Sequence, residues 1–185
     1  MTGNFNLKAF LSADLRRARF LTNGLVDEVY GVRFWLGILS PRFLPILLCR
    51  LAYSFHLLKL GHAAKLFSFL NFILFGIEIS VRCPIGKGLF LPHTQGTVIG
   101  AYSIGENATI FQGVTLGARE LDFSYKESLR PTIEDGVTIG AGAKVLGGLT
   151  LGAGSRIGAN AVVLKSIPRD VSAAGVPARV IKPLN

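Results

Sequence analysis

Aliphatic residues recur every six positions through the second half of the chain. They fall at Ile104, Ile110 and Leu116, and after an irregular interval the series continues at Ile133, Ile139, Val145, Leu151, Ile157 and Val163. An α-helix cannot keep a six-residue spacing on one face, because its period is about 3.6 residues. The pattern instead predicts a parallel β-helix, in which each hexapeptide forms one flat side and three of them make a triangular coil.

This β-helix is expected to span residues 78–168, with every aliphatic of the series pointing into the prism. The coil closes every 18 residues, so Ile133 stacks on Leu151 and Ile139 on Ile157, with rungs about 4.8 Å apart. Upstream the register continues weakly through Ile79, Ile85 and Leu91. It then slips by one residue near Gly96 and resumes at Val98.

Two other segments of this half lack the period. From 117 to 132 it lapses for sixteen polar and charged residues, which predicts a loop extruded from the coil. Residues 169–185 form a tail without a period, and we expect this tail to cross the end of the prism.

Residues 1–77 form a basic, apolar and mainly α-helical region. Within it, residues 34–76 are strongly apolar and are punctuated by Arg42, Arg50, Lys59 and Lys65, and prolines and Gly61 divide them into two or three helices. The longest uncharged run, 66–77, is twelve residues, whereas a bilayer span needs about twenty. Two alternatives remain open for 34–76: a helical cap packed on the β-helix and neighbouring subunits, or a peripheral element lying flat on a membrane.

The composition narrows the functional classes. Twenty basic and eleven acidic residues give a net charge of +9, but no basic stripe is interleaved with aromatic residues, so the sequence does not indicate a nucleic-acid partner. Cys49 and Cys83 stand in unlike contexts without metal-ligand spacing, so we interpret them as free, buried thiols of a reducing compartment. The N-terminus lacks the apolar core of a signal peptide, and we expect a cytoplasmic protein, with peripheral membrane contact if 34–76 docks on lipid.

Several motifs resemble a known family. LPHTQG, QGVTLG, IGAGA, IGANA and AAGVPAR, together with the six-residue repeat, resemble the left-handed β-helix, hexapeptide-repeat acyltransferases, and most closely their serine acetyltransferase branch. The resemblance covers about residues 76–183. It implies a mainly β fold with an N-terminal α-helical region, a homotrimer with active sites between subunits, and acetyl-CoA as co-substrate without a metal.

The resemblance also assigns catalytic roles. His93, in the motif where the repeat slips, matches the general base that a hydroxyl needs to attack a thioester. Glu78 matches a carboxylate that orients the base, although the family usually has Asp at this position. The positions that match the cofactor site are Gly117, Ala118, Ala141, Ala159, Arg156 and Arg179. The first two would supply amides for the oxyanion, the other alanines would line the pantetheine arm, and the arginines would approach the CoA phosphates.

The acceptor site departs from the serine-specific pattern. Those enzymes carry an acidic residue before the base and a His at the end of the loop, where this chain has Pro92 and Arg130. We therefore expect a sugar hydroxyl of a cell-surface polysaccharide or its lipid-linked precursor as the acceptor, with Asp122, Tyr125 and Arg130 lining the carbohydrate site. The alternatives are a serine O-acetyltransferase of cysteine biosynthesis and a non-catalytic, membrane-associated scaffold.

Overall fold

The computed structural model describes residues 5–24 and 31–183. Its first part contains four helices: α1 (Leu7–Asn23), α2 (Gly31–Ile38), α3 (Leu44–Leu57) and α4 (Gly61–Phe75). Asn6 caps α1, since its side chain accepts a hydrogen bond from the N–H of Ala9. Helix α4 ends at Gly76, whose φ of 61° lies in the left-handed region. The apolar segment thus forms three helices, within the two or three that the sequence predicts.

Short strands follow from residue 77 onward. They are β1 (Ile77–Ile79), β2 (Thr97–Ile99), β3 (Ser103–Ile104), β4 (Thr109–Ile110), β5 (Thr115–Gly117), β6 (Thr132–Ile133), β7 (Thr138–Ile139), β8 (Lys144–Leu146), β9 (Thr150–Leu151), β10 (Arg156–Ile157), β11 (Val162–Val163), β12 (Val171–Gly175) and β13 (Ala178–Pro183). They build three sheets, which are the faces of a triangular prism. The first face contains β1, β2, β5, β8 and β11, the second β3, β6 and β9, and the third β4, β7, β10, β12 and β13.

The register between coils agrees with the stacking that the six-residue period predicts. Ile133 pairs with Leu151 and Ile139 with Ile157, and the strands concerned are parallel. All nine aliphatics of the series are buried. The predicted fold class, a left-handed parallel β-helix with an N-terminal helical region, is confirmed.

The prediction that the register resumes at Val98 is wrong. Thr97 and Ile99 are the buried residues of β2, while Val98 between them faces outward. Ile79 pairs with Ile99, and these two residues are separated by more positions than paired residues of a regular coil. Ile99 pairs with Leu116, and these two are separated by slightly fewer. The first coil is therefore longer than the regular repeat, and the extra residues lie between β1 and β2.

The predicted loop and the tail differ in how they continue the coil. Many more residues separate Ser103 from its partner Thr132 than separate Thr132 from its partner Thr150. The coil that contains the loop is therefore longer than a regular one. The tail does not simply cross the end of the prism. Strand β12 adds to the third face in parallel with β10, and β13 returns antiparallel to it. Ala173 takes the inward position below Ile157 and is buried.

The helices close the end of the prism where the first coil begins. Arg50 of α3 and Asp14 of α1 form a buried ion pair at 2.9 Å. Arg50 also donates to the carbonyl oxygens of Ile85 and Gly86 in the first coil, at 2.6 and 2.7 Å. Part of the apolar region therefore packs on the β-helix, as the helical-cap alternative predicts.

Two further features of the helical region bear on the sequence predictions. No helix in the described ranges is long and apolar enough to cross a membrane. Cys49 and Cys83 are free and buried, as predicted. Burial raises the pKa of the Cys49 thiol to about 11, so the thiol is protonated at neutral pH.

Candidate active site

His93 lies at the corner where the third face turns into the first. Phe90 pairs with Thr109 before this corner, and Val98 pairs with Thr115 after it. The corner between Phe90 and Val98 therefore contains two residues more than the corner between Thr109 and Thr115 beneath it, and the extra length forms a bulge. His93 is exposed on the bulge. The slip in the repeat is thus the structural cause of its outward position.

The bulge is fixed to the end of α4. The hydroxyl of Thr94 donates to the carbonyl oxygen of Phe75 at 2.8 Å, and the N–H of Gly96 donates to that of Gly76 at 2.9 Å. The imidazole of His93 makes no hydrogen bond to any described residue, so both of its ring nitrogens are available to ligands. Exposure on an anchored turn suits a general base that must reach a substrate hydroxyl.

Glu78 occupies the centre of β1, with its side chain on the outer side of the first face. It pairs with Val98 of β2, the strand that the His93 corner enters. Both Glu78 and His93 thus belong to the first coil and are exposed. In the described chain no hydrogen bond joins the two side chains, so the orienting role of Glu78 stays a prediction.

Ala141 and Ala159 stack on the same corner of the prism as His93. The N–H of Gly142 donates to the carbonyl oxygen of Gln112, and the N–H of Asn160 donates to that of Ala141, both at 2.8 Å. These bonds align the successive corners along the prism axis. Ala159 is exposed and Ala141 is half-buried, so both small side chains are accessible at the corner where the resemblance places the pantetheine arm.

Arg156 and Arg179 lie on the third face, at the end of the prism far from the helices. Arg156 is exposed in β10, three residues before Ala159, and pairs with Thr138 and Ser172. Arg179 is exposed in β13. Their positive charge can attract the phosphate groups of a ligand bound at this end of the prism.

Gly117 and Ala118 lie at the other end of the first face, where β5 passes into the loop. The N–H of Ala118 has no hydrogen-bond partner among the described residues, as an oxyanion donor requires. A Cβ added at Gly117 would meet nothing within 4 Å. The first face separates these amides from the His93 corner of the same chain, so one chain does not bring the two halves of the predicted site together.

Arg119 belongs to this edge and was not singled out from the sequence. Its Nε donates to the carbonyl oxygen of Leu146 at 3.2 Å, and its Nη2 donates to that of Leu164. Gly147 makes room for it, since a Cβ there would lie 2.9 Å from Nε. Arg119 thus binds the beginning of the loop to the two coils that follow the loop in the chain. Its position directly after the predicted oxyanion donors was the only available sequence signal.

Asp122, Tyr125 and Arg130 form a network within the loop. The Nε of Arg130 donates to Asp122 Oδ2 at 2.8 Å, and its guanidinium lies 4.0 Å from the centre of the Tyr125 ring. Arg130 Nη1 donates to the carbonyl oxygen of Gly100 and the Tyr125 hydroxyl to that of Ala101, at 2.8 and 2.6 Å. The three residues therefore hold the loop against the chain that precedes it, at Gly100 and Ala101. Their contact with substrate stays a prediction.

The electrostatics of the loop follow from this network. Desolvation opposes the ionisation of Asp122, but hydrogen bonds from Ser124, Arg130 and the N–H of Lys126 outweigh it and lower its pKa to about 2. Burial raises the pKa of Tyr125 to about 12. At neutral pH the loop therefore contains an ionised carboxylate paired with Arg130. Among the described residues, no cluster of His, Cys, Asp and Glu has the arrangement of a metal site.

Comparisons with known proteins identify the family. The model of the bacterial transferase hexapeptide (six repeats) matches residues 130–165. The chain is 41% identical to a serine acetyltransferase of Helicobacter pylori strain J99 over 145 residues, which cover 78% of this chain and 83% of that protein. It is 42% identical to a serine acetyltransferase of Bacillus pumilus over 133 residues, 71% of this chain, but spans only 60% of that relative.

A solved structure gives the same result. The serine acetyltransferase of Brucella abortus in complex with coenzyme A superimposes with a TM-score of 0.82 and 33% identity, over 96% of this chain and 68% of that one. The predicted acyltransferase class is confirmed, and a relative with bound coenzyme A agrees with the predicted co-substrate.

The predicted acceptor class is wrong. The polysaccharide interpretation depended on Pro92 and Arg130, two positions at which this chain departs from the serine-specific pattern. The relatives that match most of the chain at about 40% identity are serine acetyltransferases, and these matches overturn the carbohydrate acceptor in favour of the serine alternative. On the extent of the Helicobacter match and the shared fold, the chain belongs to the serine acetyltransferase family.

Proposed function

We propose that this protein is a serine O-acetyltransferase, which transfers the acetyl group of acetyl-CoA to the hydroxyl of L-serine. The observation that carries the proposal is the match to the Helicobacter serine acetyltransferase over 83% of that protein's length. The exposed base on the His93 corner and the free N–H of Ala118 are the chemical features that the reaction needs.

In the proposed reaction, the imidazole of His93 accepts the proton of the serine hydroxyl as the oxygen attacks the thioester carbonyl. The N–H of Ala118 stabilises the oxyanion of the tetrahedral intermediate, and Gly117 beside it has no side chain to cover this donor. When the intermediate collapses, the carbon–sulfur bond breaks and the thiolate of CoA takes the proton from the imidazolium. The transfer is direct, and no acyl-enzyme forms.

The site is proposed to lie between subunits of a cytoplasmic homotrimer. The His93 corner and the edge with Gly117 and Ala118 are at opposite ends of the first face, so a neighbouring copy must bring the second half of the site. Ala141, Ala159 and Arg156 then guide acetyl-CoA along the corner that ends at His93, with Arg179 nearby on the same end of the prism.

The test of the activity is a coupled measurement of both products. Purified protein is incubated with acetyl-CoA and L-serine, and the release of the CoA thiol and the formation of O-acetylserine are followed together. We expect equal amounts of both products and no thiol release when serine is omitted. Thiol release that serine does not stimulate, with no O-acetylserine by mass spectrometry, would refute the proposal.

The shared site has its own test, by subunit complementation. His93→Ala removes the base, and Gly117→Val places a side chain beside the N–H of Ala118, where the single chain has open space for it. The two substitutions therefore disable opposite halves of the site. Each variant alone should be inactive. When the two are co-expressed, random trimers should recover up to about a quarter of the wild-type activity, because some interfaces combine two intact halves. Absence of recovery in trimers shown to be mixed would place the whole site within one subunit.

A further inference from the structure

The outer face of α4 is apolar, and its orientation is fixed by contacts on the inner face. Ala64 and Asn71 are buried. The side-chain amide of Asn71 donates to the carbonyl oxygen of Pro45 at 2.9 Å, and the hydroxyl of Ser68 donates to that of Ile79 at 3.2 Å. Helix α4 is therefore held by α3 and the first coil, and it cannot rotate to hide its other side.

The side chains on that outer face recur at spacings of three and four residues, which places them in one row along the helix. They are Leu66, Phe69, Phe72 and Ile73, and each is more than half exposed. The α3–α4 turn extends the apolar surface with Leu58 and Leu60. We call these six residues the α4 row. No described element of the chain covers them.

Positive charge lies at the N-terminal end of the α4 row. Lys59 and Lys65 are exposed there and pair with no acidic group in the described ranges. Residues 31–76 contain five Arg and Lys and no Asp or Glu. Of the five, Arg50 is buried with Asp14. The surface of this region is therefore apolar and cationic, without acidic residues of its own.

Helix α2 repeats the arrangement. Its exposed apolar residues lie at helical spacing and continue one residue past the end of the helix. They are Val32, Trp35, Leu36 and Leu39, with exposed fractions between 59% and 73%. Arg33 is exposed beside them. Two helices of the same region thus present an apolar row together with basic side chains that pair with no acidic group among the described residues.

We propose that this region docks on an anionic lipid bilayer, with the α4 row in the interface between headgroups and acyl chains. A bilayer satisfies both parts of the surface, because the apolar row enters the acyl boundary while Lys59 and Lys65 extend to lipid phosphates. A second copy of the chain would bring the same cations and no acidic residue from this region, which leaves the charges without partners. The inference concerns binding alone and does not depend on the acetyl acceptor.

The test uses the full-length protein and sedimentation with vesicles. One set is phosphatidylcholine and the other contains phosphatidylglycerol as the anionic lipid. We expect binding to the anionic vesicles that weakens as salt is added, because salt screens the attraction of exposed charges. Lys59→Gln with Lys65→Gln should weaken it roughly 25-fold, about fivefold per lysine. Phe69→Ser with Phe72→Ser should weaken it at least about tenfold.

Matched control variants change the same residue types elsewhere. Leu121 and Phe123 are highly exposed in the loop, and Lys126 and Lys165 are exposed on the loop and the coil. Leu121→Ser with Phe123→Ser, and Lys126→Gln with Lys165→Gln, should leave vesicle binding within about twofold, since the proposed interface does not include them.

Three results would overturn the proposal. The first is that the wild-type protein does not sediment with anionic vesicles. The second is that the control variants lose as much binding as the α4 variants. The third is that Phe69→Ser with Phe72→Ser breaks a larger assembly in solution while vesicle binding is absent, which would assign the α4 row to a second copy of the chain.

Discussion

The buried pair of Asp14 and Arg50 should dominate the stability of the contact between the helices and the β-helix. Both side chains are almost completely excluded from solvent, at 0% and 1% exposure. Arg50 Nε and Nη2 donate to the two carboxylate oxygens at 2.9 and 3.0 Å, and the N–H of Leu89 donates to Asp14 Oδ1 at 2.9 Å. Asp14 therefore neutralises the buried guanidinium of Arg50 and also accepts a hydrogen bond from a backbone N–H of the first coil.

Asp14→Asn retains the volume of the side chain and removes its charge. The guanidinium of Arg50 then stays buried without a counter-charge, which typically costs about 3–5 kcal/mol. For a chain of this size, each kcal/mol lowers the melting temperature by roughly 2–4 °C. We therefore expect a loss of about 4 kcal/mol in the free energy of unfolding and a melting temperature roughly 8–16 °C lower.

Urea unfolding of four proteins measures the coupling: the wild type, Asp14→Asn, Arg50→Met and the double variant. Arg50→Met should cost about 2 kcal/mol less when Asp14 is already Asn, because the guanidinium is then itself destabilising. The control is Asp170→Asn, since Asp170 and Arg169 form an exposed pair at 3.0 Å whose contribution should be about 0–1 kcal/mol. The reasoning fails if Asp14→Asn costs no more than this control, or if the two substitutions are additive within about 0.5 kcal/mol.

Three further predictions concern the site. His93→Ala should lower kcat about 10²–10⁴-fold, while the affinity for acetyl-CoA, measured by calorimetry, stays unchanged. Glu78→Gln should lower kcat less, and an equal loss in the two variants would contradict the orienting role of Glu78. Arg119→Ala should lower kcat about tenfold with little change in the KM for acetyl-CoA, because the start of the loop loses its anchor on the two coils that follow it; a change in KM alone would contradict this. The pKa of Asp122 is about 2 in the folded loop, below its unfolded value of about 3.9. The contribution of Asp122 to loop stability is therefore present above about pH 4 and is lost as the pH falls towards 2. The protection of the loop amides from hydrogen exchange should fall over the same range.

The six-residue period was sufficient to predict most of the fold. A residue that must point inward at every rung has to be aliphatic whatever its neighbours are, so Ile133, Ile139 and Leu151 reveal the coil without any long-range information. The loop could be located for the same reason, because a segment that leaves the prism loses the constraint. The three helices of the apolar region also follow from local signals, namely Pro41, Pro45 and Gly61.

Features that depend on contacts distant in sequence could not be predicted. The pairing of Asp14 with Arg50 joins residues 36 positions apart, and the arginine stands in an apolar helix where composition suggests an exposed charge. The outward direction of Val98 is a similar case. An aliphatic residue fits the repeat on either side of a slip, and only the pairing with the next coil shows how many residues the bulge of the His93 corner contains.

The error in the acceptor has a physical explanation in Arg130. The comparison of single positions assumed that a side chain aligned with a family substrate-binding residue faces the substrate, so that a change there excludes serine. In the structure the guanidinium of Arg130 is held by Asp122 and by the carbonyl oxygen of Gly100, at 2.8 Å each. Arg130 therefore fastens this loop to the coil, and its presence does not by itself exclude serine as the acceptor. The match over 145 residues covers far more of the chain than the two positions Pro92 and Arg130 do, and it therefore outweighs them in favour of the serine alternative.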